Sequence, residues 1–211
     1  MARPNDIIAA PSALSLRRLA RAVLTHPAFV MLKAPLRNVW WTFRGLGTQN
    51  PPHPRDPKSM LFVCLGNICR SPFAAERAKG LLADLGRADI RTSSAGIRPS
   101  QDNRSPDEAC CAAVAYGVTL TTHRPQALTR ELMESHDMVI VTEWRHLAQL
   151  RAAYPECQGR IFLLPLFDDG ARNAYERYNI PDPFGRPLAA FEDCYRRVDR
   201  AMRNLIATTW K

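Results

Sequence analysis

Residues 60–78, MLFVCLGNICRSPFAAERA, decide the fold, because an apolar run, a short polar turn and a helical pattern follow one another directly. Residues 60–63 have the continuous hydrophobicity of a buried strand, and the residues from Pro72 onward have the pattern of a helix. The turn therefore lies at a helix N-terminus, where unpaired N–H groups and the helix dipole favour an anion. Gly66 and Asn67 readily adopt positive φ, which lets successive N–H groups point to one centre. The sequence predicts a phosphate-binding loop after the first strand.

The same turn carries a nucleophile and a fixed cation. Cys64 opens the turn inside the positive field of the helix, which should keep its sulfur as a thiolate near neutral pH. Arg70 closes the turn, and its planar guanidinium can bind two phosphoryl oxygens at once. Ser71 can donate a hydrogen bond to the sulfur and make it a better leaving group. A cysteine six positions before an arginine is a weak signal alone, but with Gly-Asn inside and Ser-Pro after it the pattern predicts phosphoryl transfer rather than a structural cysteine beside a helix cap.

A second motif, near the C-terminus, supplies an acid. Residues 180–185, IPDPFG, place Asp182 between two prolines and close to Phe184. Departure of an alkoxide or phenolate from phosphorus requires a proton donor, and a carboxylic acid desolvated by proline and phenylalanine can serve. Asp-Pro by itself is more typical of an ordinary turn. In a chain that also carries the Cys64 loop, Asp182 is the candidate general acid.

The order and spacing of these motifs resemble the low-molecular-weight protein tyrosine phosphatase family. The resemblance covers residues 57–211, and residues 1–56 remain unassigned by it. The segments that carry it are the loop at 64–72, Ser93-Ser94-Ala95-Gly96 after a second strand, the turn Thr122-His123-Arg124-Pro125, the third strand at 137–142, and Asp182-Pro183-Phe184.

The resemblance implies a mechanism and a set of site residues. Cys64 would form a phosphocysteine, Arg70 would bind the phosphoryl oxygens, and Asp182 would act as general acid and then as general base, without metal or cofactor. Ser94 and His123 match a polar network that holds the loop in shape. The positions that would bind substrate are Leu65, Gly66, Asn67, Ile68, Cys69, Ser71 and Phe184.

Four positions bear on specificity or depart from the family pattern. Ile68 is typical of tyrosine-directed members, whereas phosphoarginine-directed relatives have threonine there. Phe184 is followed by Gly185, so an aromatic wall remains but the two tyrosines that vertebrate relatives place there do not. Arg98 stands in a segment where some relatives have an aromatic residue, and substrate contact there is expected either to be looser or to depend more on the arginine. Glu143 stands where the family often has aspartate, and the sequence predicts no consequence of this difference.

Strands and helices alternate after residue 59, which predicts an α/β fold. We expect a three-layer, doubly wound, four-stranded parallel sheet with helices on both faces and the phosphate-binding loop at the carboxyl end of the first strand. The predicted strands lie near 60–64, 90–94, 137–142 and 160–164. The predicted helices lie near 71–86, 106–117, 129–135, 144–153 and 188–207.

Composition and charge divide the chain of 211 residues into two parts. Residues 1–60 carry nine Lys/Arg and two Asp, whereas the remainder carries twenty basic and eighteen acidic residues, so the net charge of +9 belongs mainly to the N-terminal part. We therefore predict a basic extension at 1–56, a phosphatase domain at 57–211, and no nucleic-acid partner. Six cysteines without a framework of pairs, no secretory signal and no membrane span favour the cytoplasm.

The extension is predicted to contain two amphipathic helices and a proline-rich linker. One helix would run from Ser15 to about Thr25 and end at Pro27, and a second would follow Pro35. Their basic and aromatic faces suit an anionic membrane surface or an acidic protein partner through residues 14–44, and packing onto the phosphatase domain is the alternative. An organellar presequence is a further alternative. Residues 50–57 have the composition of a stiff linker.

The sequence is consistent with three functions. The first is a phosphatase acting on phosphotyrosine. The second is an arsenate reductase on the same scaffold, which would need a cysteine relay; Cys110 and Cys111 exist, but adjacent cysteines on a helix point away from each other. The third is a module that binds phosphate without turnover, against which the intact Cys64, Arg70 and Asp182 argue. The Cys64 and Cys69 pair further predicts a redox-sensitive enzyme.

Overall fold

The computed structural model describes residues 27–210 and divides the chain into two units at the junction of Arg44 and Gly45. The first unit contains helix α1, Pro27–Arg44. The prediction of a helix that starts after Pro35 was wrong, because α1 begins at Pro27 and runs through Pro35. Proline suits a first helical position, whereas inside a helix it removes one hydrogen bond and strains the preceding turn, a cost that a helix of 18 residues can bear. The helix predicted at 15–25 lies outside the described residues.

The second unit is built on a four-stranded parallel sheet. Its strands are β1 (Ser59–Cys64), β2 (Arg91–Gly96), β3 (Met138–Val141) and β4 (Ile161–Leu163), in the order β2-β1-β3-β4. The strand order reverses beside β1, so the carboxyl end of β1 lies at the switch point where open α/β sheets bind ligands. The predicted doubly wound fold is confirmed.

Helices connect and cover the strands. They are α2 (Arg70–Asp84), α3 (Asp107–Val114), α4 (Arg130–Glu134), α5 (Trp144–Ala153), α6 (Ala174–Tyr178) and α7 (Leu188–Thr209), with 3-10 helices at Pro155–Arg160 and Leu164–Phe167. Five of the six helices lie where the sequence predicted them. The sequence did not predict α6 or the 3-10 helices, since segments of four to six residues are too short to show a helical period.

The core lies on both faces of the sheet. Successive β1 side chains alternate between the two, so Met60 and Phe62 pack with α2, α3 and α7, whereas Leu61 and Val63 pack with α5. The ring of Tyr195 on α7 stacks on Phe73 of α2 at 3.8 Å. This pair holds the first and last helices of the domain together beneath the loop that leaves β1.

Residues 45–56 make several contacts with residues further along the chain. The side-chain amide of Asn50 pairs with the backbone of Leu163, and the His53 ring lies 5.6 Å from those of Phe162 and Phe167. The compact unit of the structure therefore starts at Gly45. The division into an extension at 1–56 and a phosphatase domain at 57–211 stays a prediction.

Candidate active site

The loop between β1 and α2 closes around the sulfur of Cys64. The backbone N–H of Asn67 donates to Sγ at 3.3 Å, and the hydroxyl oxygen of Ser71 lies 3.0 Å from it. Asn67 has a φ of 54°, the left-handed conformation that the predicted curl of the loop requires, whereas the same expectation for Gly66 was wrong, since its φ is not positive. Cys64 is buried at the carboxyl end of β1, and α2 begins at Arg70. Its sulfur thus faces N–H groups and the start of a helix.

The side chain of Asn67 organises the polar network behind the loop. Its amide nitrogen donates to the hydroxyls of Ser71 and Ser94, both at 2.9 Å, and its amide oxygen accepts from the backbone N–H of Gln126 at 2.9 Å. The carbonyl of Asn67 accepts from Nε2 of His123 at 2.7 Å. The structure thus brings Ser94 and His123 to the loop, while the contribution of Gln126 was missed because a backbone donor leaves no signal in the sequence.

Burial and one backbone contact fix the protonation of His123. Desolvation lowers the pKa of its imidazole, which the bond to the Asn67 carbonyl only partly offsets. A carbonyl can only accept, so the neutral ring carries its proton on Nε2. His123 therefore supports the loop as a neutral donor.

Arg70 is fully buried and held from three sides. Its Nη1 donates to Oε1 of Glu143 and, at 3.2 Å, to the carbonyl of Ile180, while its Nη2 donates to Oδ2 of Asp182 at 2.5 Å. Its Nε is buried and has no partner among the described residues. A buried N–H without a partner is costly, so this edge of the guanidinium is suited to an incoming anionic oxygen.

The charges around Arg70 keep it a cation. Burial lowers the pKa of the guanidinium, but the negative charges of Cys64, Asp182 and Glu143 outweigh burial and raise the pKa overall. For Glu143, burial raises the pKa of the carboxyl, but the charges of Arg70 and Arg145 lower it by more, so this group stays an anion. The pair is a buried salt bridge of fixed sign.

Glu143 is the residue that the sequence analysis failed to place. It lies two residues beyond the end of β3, at the edge of the sheet where Cys64 ends β1, and its Oε2 lies 2.8 Å from Nε of Arg145. The signal that could have found it was its position, since polar residues at the carboxyl ends of neighbouring parallel strands meet at one edge. Glu143 positions Arg70 and lies behind the cleft.

A cleft of about 260 Å³ opens above the loop. Asp182 and the exposed Phe184 lie on one side of it, and Arg98, Ser100 and Asp102 are among its other lining residues. The predicted substrate-binding positions divide into two groups: Leu65, Gly66, Ile68, Cys69 and Phe184 line the cleft, whereas Asn67 and Ser71 lie behind the loop and contact the sulfur.

Comparisons with known proteins identify the family of this chain. The family model described as low molecular weight phosphotyrosine protein phosphatase matches residues 59–211. The chain belongs to this family. Among its relatives, the low molecular weight protein-tyrosine-phosphatase Etp of Escherichia coli K12 is 32% identical over 143 residues, which cover 68% of this chain and 88% of Etp. Wzb of Salmonella typhimurium is 30% identical over 144 residues, which cover 68% of this chain and 89% of Wzb.

Solved structures of phosphatases of this family have the same fold. The tyrosine phosphatase Wzb from Escherichia coli K30 in complex with sulphate superposes with a TM-score of 0.63 at 28% identity, covering 72% of this chain and 98% of that chain. Vibrio vulnificus Wzb in complex with benzylphosphonate superposes with a TM-score of 0.61 at 28% identity, covering 72% and 99%. The match to the family model thus begins at the start of β1 and does not include the residues before it.

Proposed function

We propose that the protein hydrolyses phosphotyrosine in proteins through a phosphocysteine intermediate. The observation that carries the proposal is the joint placement of Cys64, Arg70 and Asp182 at one cleft, with the N–H of Asn67 directed at the sulfur and Nε of Arg70 without a partner. The relatives named above are tyrosine phosphatases, and Wzb structures hold sulphate and benzylphosphonate, an oxyanion and a phosphonate joined to an aromatic ring through a methylene group. Both support a site for an aryl phosphate.

The first half of the reaction transfers the phosphoryl group to the protein. The Cys64 thiolate attacks phosphorus, the P–O bond to the tyrosine breaks, and Asp182 gives its proton to the departing phenolate. The guanidinium of Arg70 binds two equatorial oxygens, with Nε supplying a donor that is unused within the protein. Asp182 must leave its bond with Arg70 to take this role, since the structure shows it accepting from Nη2.

The second half returns the enzyme to its starting state. Asp182, now a carboxylate, takes a proton from water, which attacks phosphorus while the P–S bond breaks. The Ser71 hydroxyl, 3.0 Å from the sulfur, can donate to the departing thiolate. Inorganic phosphate leaves and Asp182 is protonated again for the next cycle.

A substrate panel tests the proposal. Purified protein should hydrolyse phosphotyrosine peptides faster than phosphoserine or phosphoarginine peptides and should not reduce arsenate. Cys64→Ser should abolish turnover while oxyanion binding remains, because serine keeps the loop but does not ionise near neutral pH. Substantial activity of Cys64→Ser would contradict the covalent mechanism, and preference for phosphoarginine or arsenate would assign the site to one of the other activities.

We propose further that Cys69 protects the nucleophile from oxidation. Burial, followed by the neighbouring charge of Cys64, raises the pKa of the Cys69 thiol, so Cys64 is the sulfur that peroxide attacks. Peroxide takes two electrons from the Cys64 thiolate to give a sulfenic acid and hydroxide. The Cys69 thiol then displaces that oxygen as water and a disulfide forms.

Peroxide treatment followed by reductant tests this role. The parent protein should recover its activity, whereas Cys69→Ser should stay inactive, because its sulfenic acid proceeds to irreversible oxidation. Cys111→Ser, which changes an exposed cysteine on α3, is the matched control and should recover. Equal recovery of Cys69→Ser and the parent would remove Cys69 from this role.

We also propose that the enzyme works in the cytoplasm and that α1 attaches it to an anionic membrane surface. Exposed apolar residues recur on α1 at helical spacing, namely Leu36, Val39, Trp40 and Phe43. Pro27–Arg44 contains Lys33, Arg37 and Arg44 but no acidic residue. Aromatic and basic residues on an amphipathic helix suit the lipid headgroup region. Within the described part of the chain, none of the helices is long and apolar enough to cross a bilayer.

Vesicle binding by the full chain tests this attachment. Sedimentation with vesicles containing phosphatidylserine should bring the protein down, and Trp40→Ser/Phe43→Ser should reduce the bound fraction by about tenfold, since two buried aromatic side chains contribute several kcal/mol. Phosphatidylcholine vesicles are the matched control. Unchanged binding of the double variant, or binding only to an acidic protein, would contradict the proposal.

A further inference from the structure

Residues 45–53, which we call the strap, precede the family match and are bound to the edge of the sheet. The amide of Asn50 donates to the carbonyl of Leu163 at 3.2 Å and accepts from its N–H at 2.6 Å, so one side chain satisfies the free edge of β4 as a neighbouring strand would. Nδ1 of His53 lies 2.7 Å from the hydroxyl of Thr209. The family model, which matches residues 59–211, does not include this segment.

The first residues of the strap contact two segments that lead into the active site. Nε1 of Trp144 donates to the hydroxyl of Thr48 at 3.1 Å. Gly45 is buried against Tyr178 so closely that a β-carbon at Gly45 would lie 2.0 Å from Cε2 of that ring. Trp144 directly follows Glu143, and Tyr178 lies four residues before Asp182.

These two segments are joined to each other and to Arg70. The N–H of Trp144 donates to Oδ1 of Asn179 at 3.3 Å, and the N–H of Ile180 donates to the carbonyl of Thr142 at 3.0 Å. Glu143 from the first segment and the carbonyl of Ile180 from the second both accept from Nη1 of Arg70. The strap therefore contacts the two segments that together hold the guanidinium of Arg70.

We propose that the strap is a positioning element for the reaction, which fixes Glu143 and the Asp182 segment against Arg70. The inference rests on the proposed phosphatase function and adds that residues outside the family's own domain set the geometry of its acid and its arginine. For efficient proton transfer, the supporting contacts must hold a catalytic side chain within about 0.5 Å of its productive position. Thr48 and Gly45 supply contacts of this kind from outside the cleft.

Two substitutions in the full chain test the strap by different means. Thr48→Val removes the acceptor of the Trp144 ring N–H with little change of shape. Gly45→Ala removes no side-chain donor or acceptor at position 45 but forces the Tyr178 ring to move. Because a general acid contributes about 10²–10⁴-fold in all, its partial misplacement should lower kcat/KM about three- to tenfold for aryl phosphates whose leaving groups have a high pKa. The loss should be below about twofold for p-nitrophenyl phosphate, whose leaving group needs little protonation.

Matched controls separate this effect from lost stability. Gly159→Ala places a methyl group in open space on a 3-10 helix, and Thr208→Val removes a hydroxyl that bonds only within α7. Both should leave the dependence of kcat/KM on leaving-group pKa unchanged. Melting temperatures of all four variants establish that each is folded at the assay temperature, since a reduced folded fraction lowers every rate by the same factor.

The outcomes distinguish the inference from the function on which it rests. A steeper dependence on leaving-group pKa in both strap variants supports the positioning role. An unchanged slope in a folded, active Thr48→Val and Gly45→Ala would overturn it and leave the phosphatase function standing. A wild-type protein without phosphatase activity would overturn the proposed function itself.

Discussion

Arg70 is the residue at which the charges of the site converge. It binds the two carboxylates of Glu143 and Asp182, and the three groups are brought together from α2, the end of β3 and the loop before α7. Glu143 is buried and keeps its place, whereas the side chain of Asp182 is 35% exposed and faces the cleft. Glu143 therefore holds the Arg70 cation, whereas Asp182 can leave Arg70 and bind a substrate oxygen instead.

Asp182→Asn should slow the hydrolysis of aryl phosphates in proportion to the basicity of the leaving group. Asparagine keeps the shape but has no proton to give, so kcat/KM should fall about 10²–10³-fold for phenyl phosphate and much less for p-nitrophenyl phosphate. Asp102→Asn, which alters a carboxylate lining the same cleft, should leave the slope unchanged. Equal losses across a series of leaving groups would remove Asp182 from the acid role.

Glu143→Gln should weaken both catalysis and folding. It leaves an acceptor beside Arg70 but removes one of two carboxylates from a buried cation, and breaking a buried ion pair costs about 3–5 kcal/mol. We expect a lower melting temperature and a kcat/KM reduced by about tenfold or more, with partial recovery in Glu143→Asp. Glu134→Gln, which changes an exposed ion pair with Arg130, is the control and should have little effect. Wild-type rates in Glu143→Gln would show that Arg70 is held without it.

At the scale of elements, the strands and long helices followed from the sequence because each carries many residues in a repeating pattern. The β1 strand and the loop after it were predicted from residues 60–72, and the structure places Cys64, Asn67 and Arg70 as that pattern requires. The contacts between distant segments did not follow. Asn50 with Leu163 and Thr48 with Trp144 each join residues about a hundred positions apart, and neither pair has a local pattern to announce it.

Helix α1 shows the limit of local rules. Pro27 and Pro35 both suggested helix boundaries, yet only the first acts as one, because a proline inside a helix costs one hydrogen bond and local strain that the rest of the helix can bear. Proline at position 27 lies in the first turn, where its missing donor breaks no hydrogen bond of the helix. The choice between the two depends on the whole helix rather than on the proline.

The segment after β2 forms one wall of the cleft and places the charged side chain of Arg98 there. The N–H groups of Ile97, Arg98 and Ser100 donate to the carbonyls of Cys64, Leu65 and Gly66 at 3.0, 2.9 and 2.9 Å, so the wall is tied to the phosphate-binding loop. Arg98→Ala should raise KM about three- to fivefold for phosphotyrosine peptides with a neighbouring aspartate or glutamate, the effect of one exposed ion pair.

The control for Arg98 lies in the same segment. Arg104→Ala removes an equally exposed arginine that does not line the cleft, and KM should stay at the wild-type value. Peptides with neutral flanking residues should be bound alike by the parent and by Arg98→Ala. A rise in KM that is independent of peptide charge would show that Arg98 acts on the loop rather than on the substrate.

At the scale of the whole molecule, the site is made where the carboxyl ends of three adjacent strands meet. Cys64 ends β1, Gly96 ends β2 and Glu143 follows β3, with Gly96 paired to Cys64 in the ladder. A β-carbon at Gly96 would lie 3.0 Å from the Asn67 side chain and from the Leu65 carbonyl, so glycine allows the loop to pack on the neighbouring strand. The same strand ends therefore stabilise the sheet and shape the site, so conditions that destabilise the fold also disturb the site.

Acid should weaken the fold through a histidine beside this site. His146 is buried, with Nε2 lacking a partner among the described residues, and burial lowers the pKa of its imidazole to about 4 although Glu143 opposes the shift. The ordinary pKa of histidine is 6.5. Below pH 6.5 the imidazole therefore binds a proton in the unfolded chain but not in the folded chain. Stability is lost as the pH falls towards 4. The loss from this residue should reach about 3 kcal/mol near pH 4.

Urea denaturation at pH 7, 5.5 and 4.5 measures this loss. His146→Gln has no charge to acquire, so its free energy of unfolding should fall less steeply with pH than that of the parent. His136→Gln is the comparator: burial also lowers the pKa of His136, but the carbonyl of Leu132 accepts from its ring and offsets part of the shift, so the slope should change less. Parallel curves for the parent and His146→Gln would contradict the role of His146. A flatter curve would instead identify this imidazole, one residue from Arg145 and three from Glu143, as a principal reason why the site loses its support in acid.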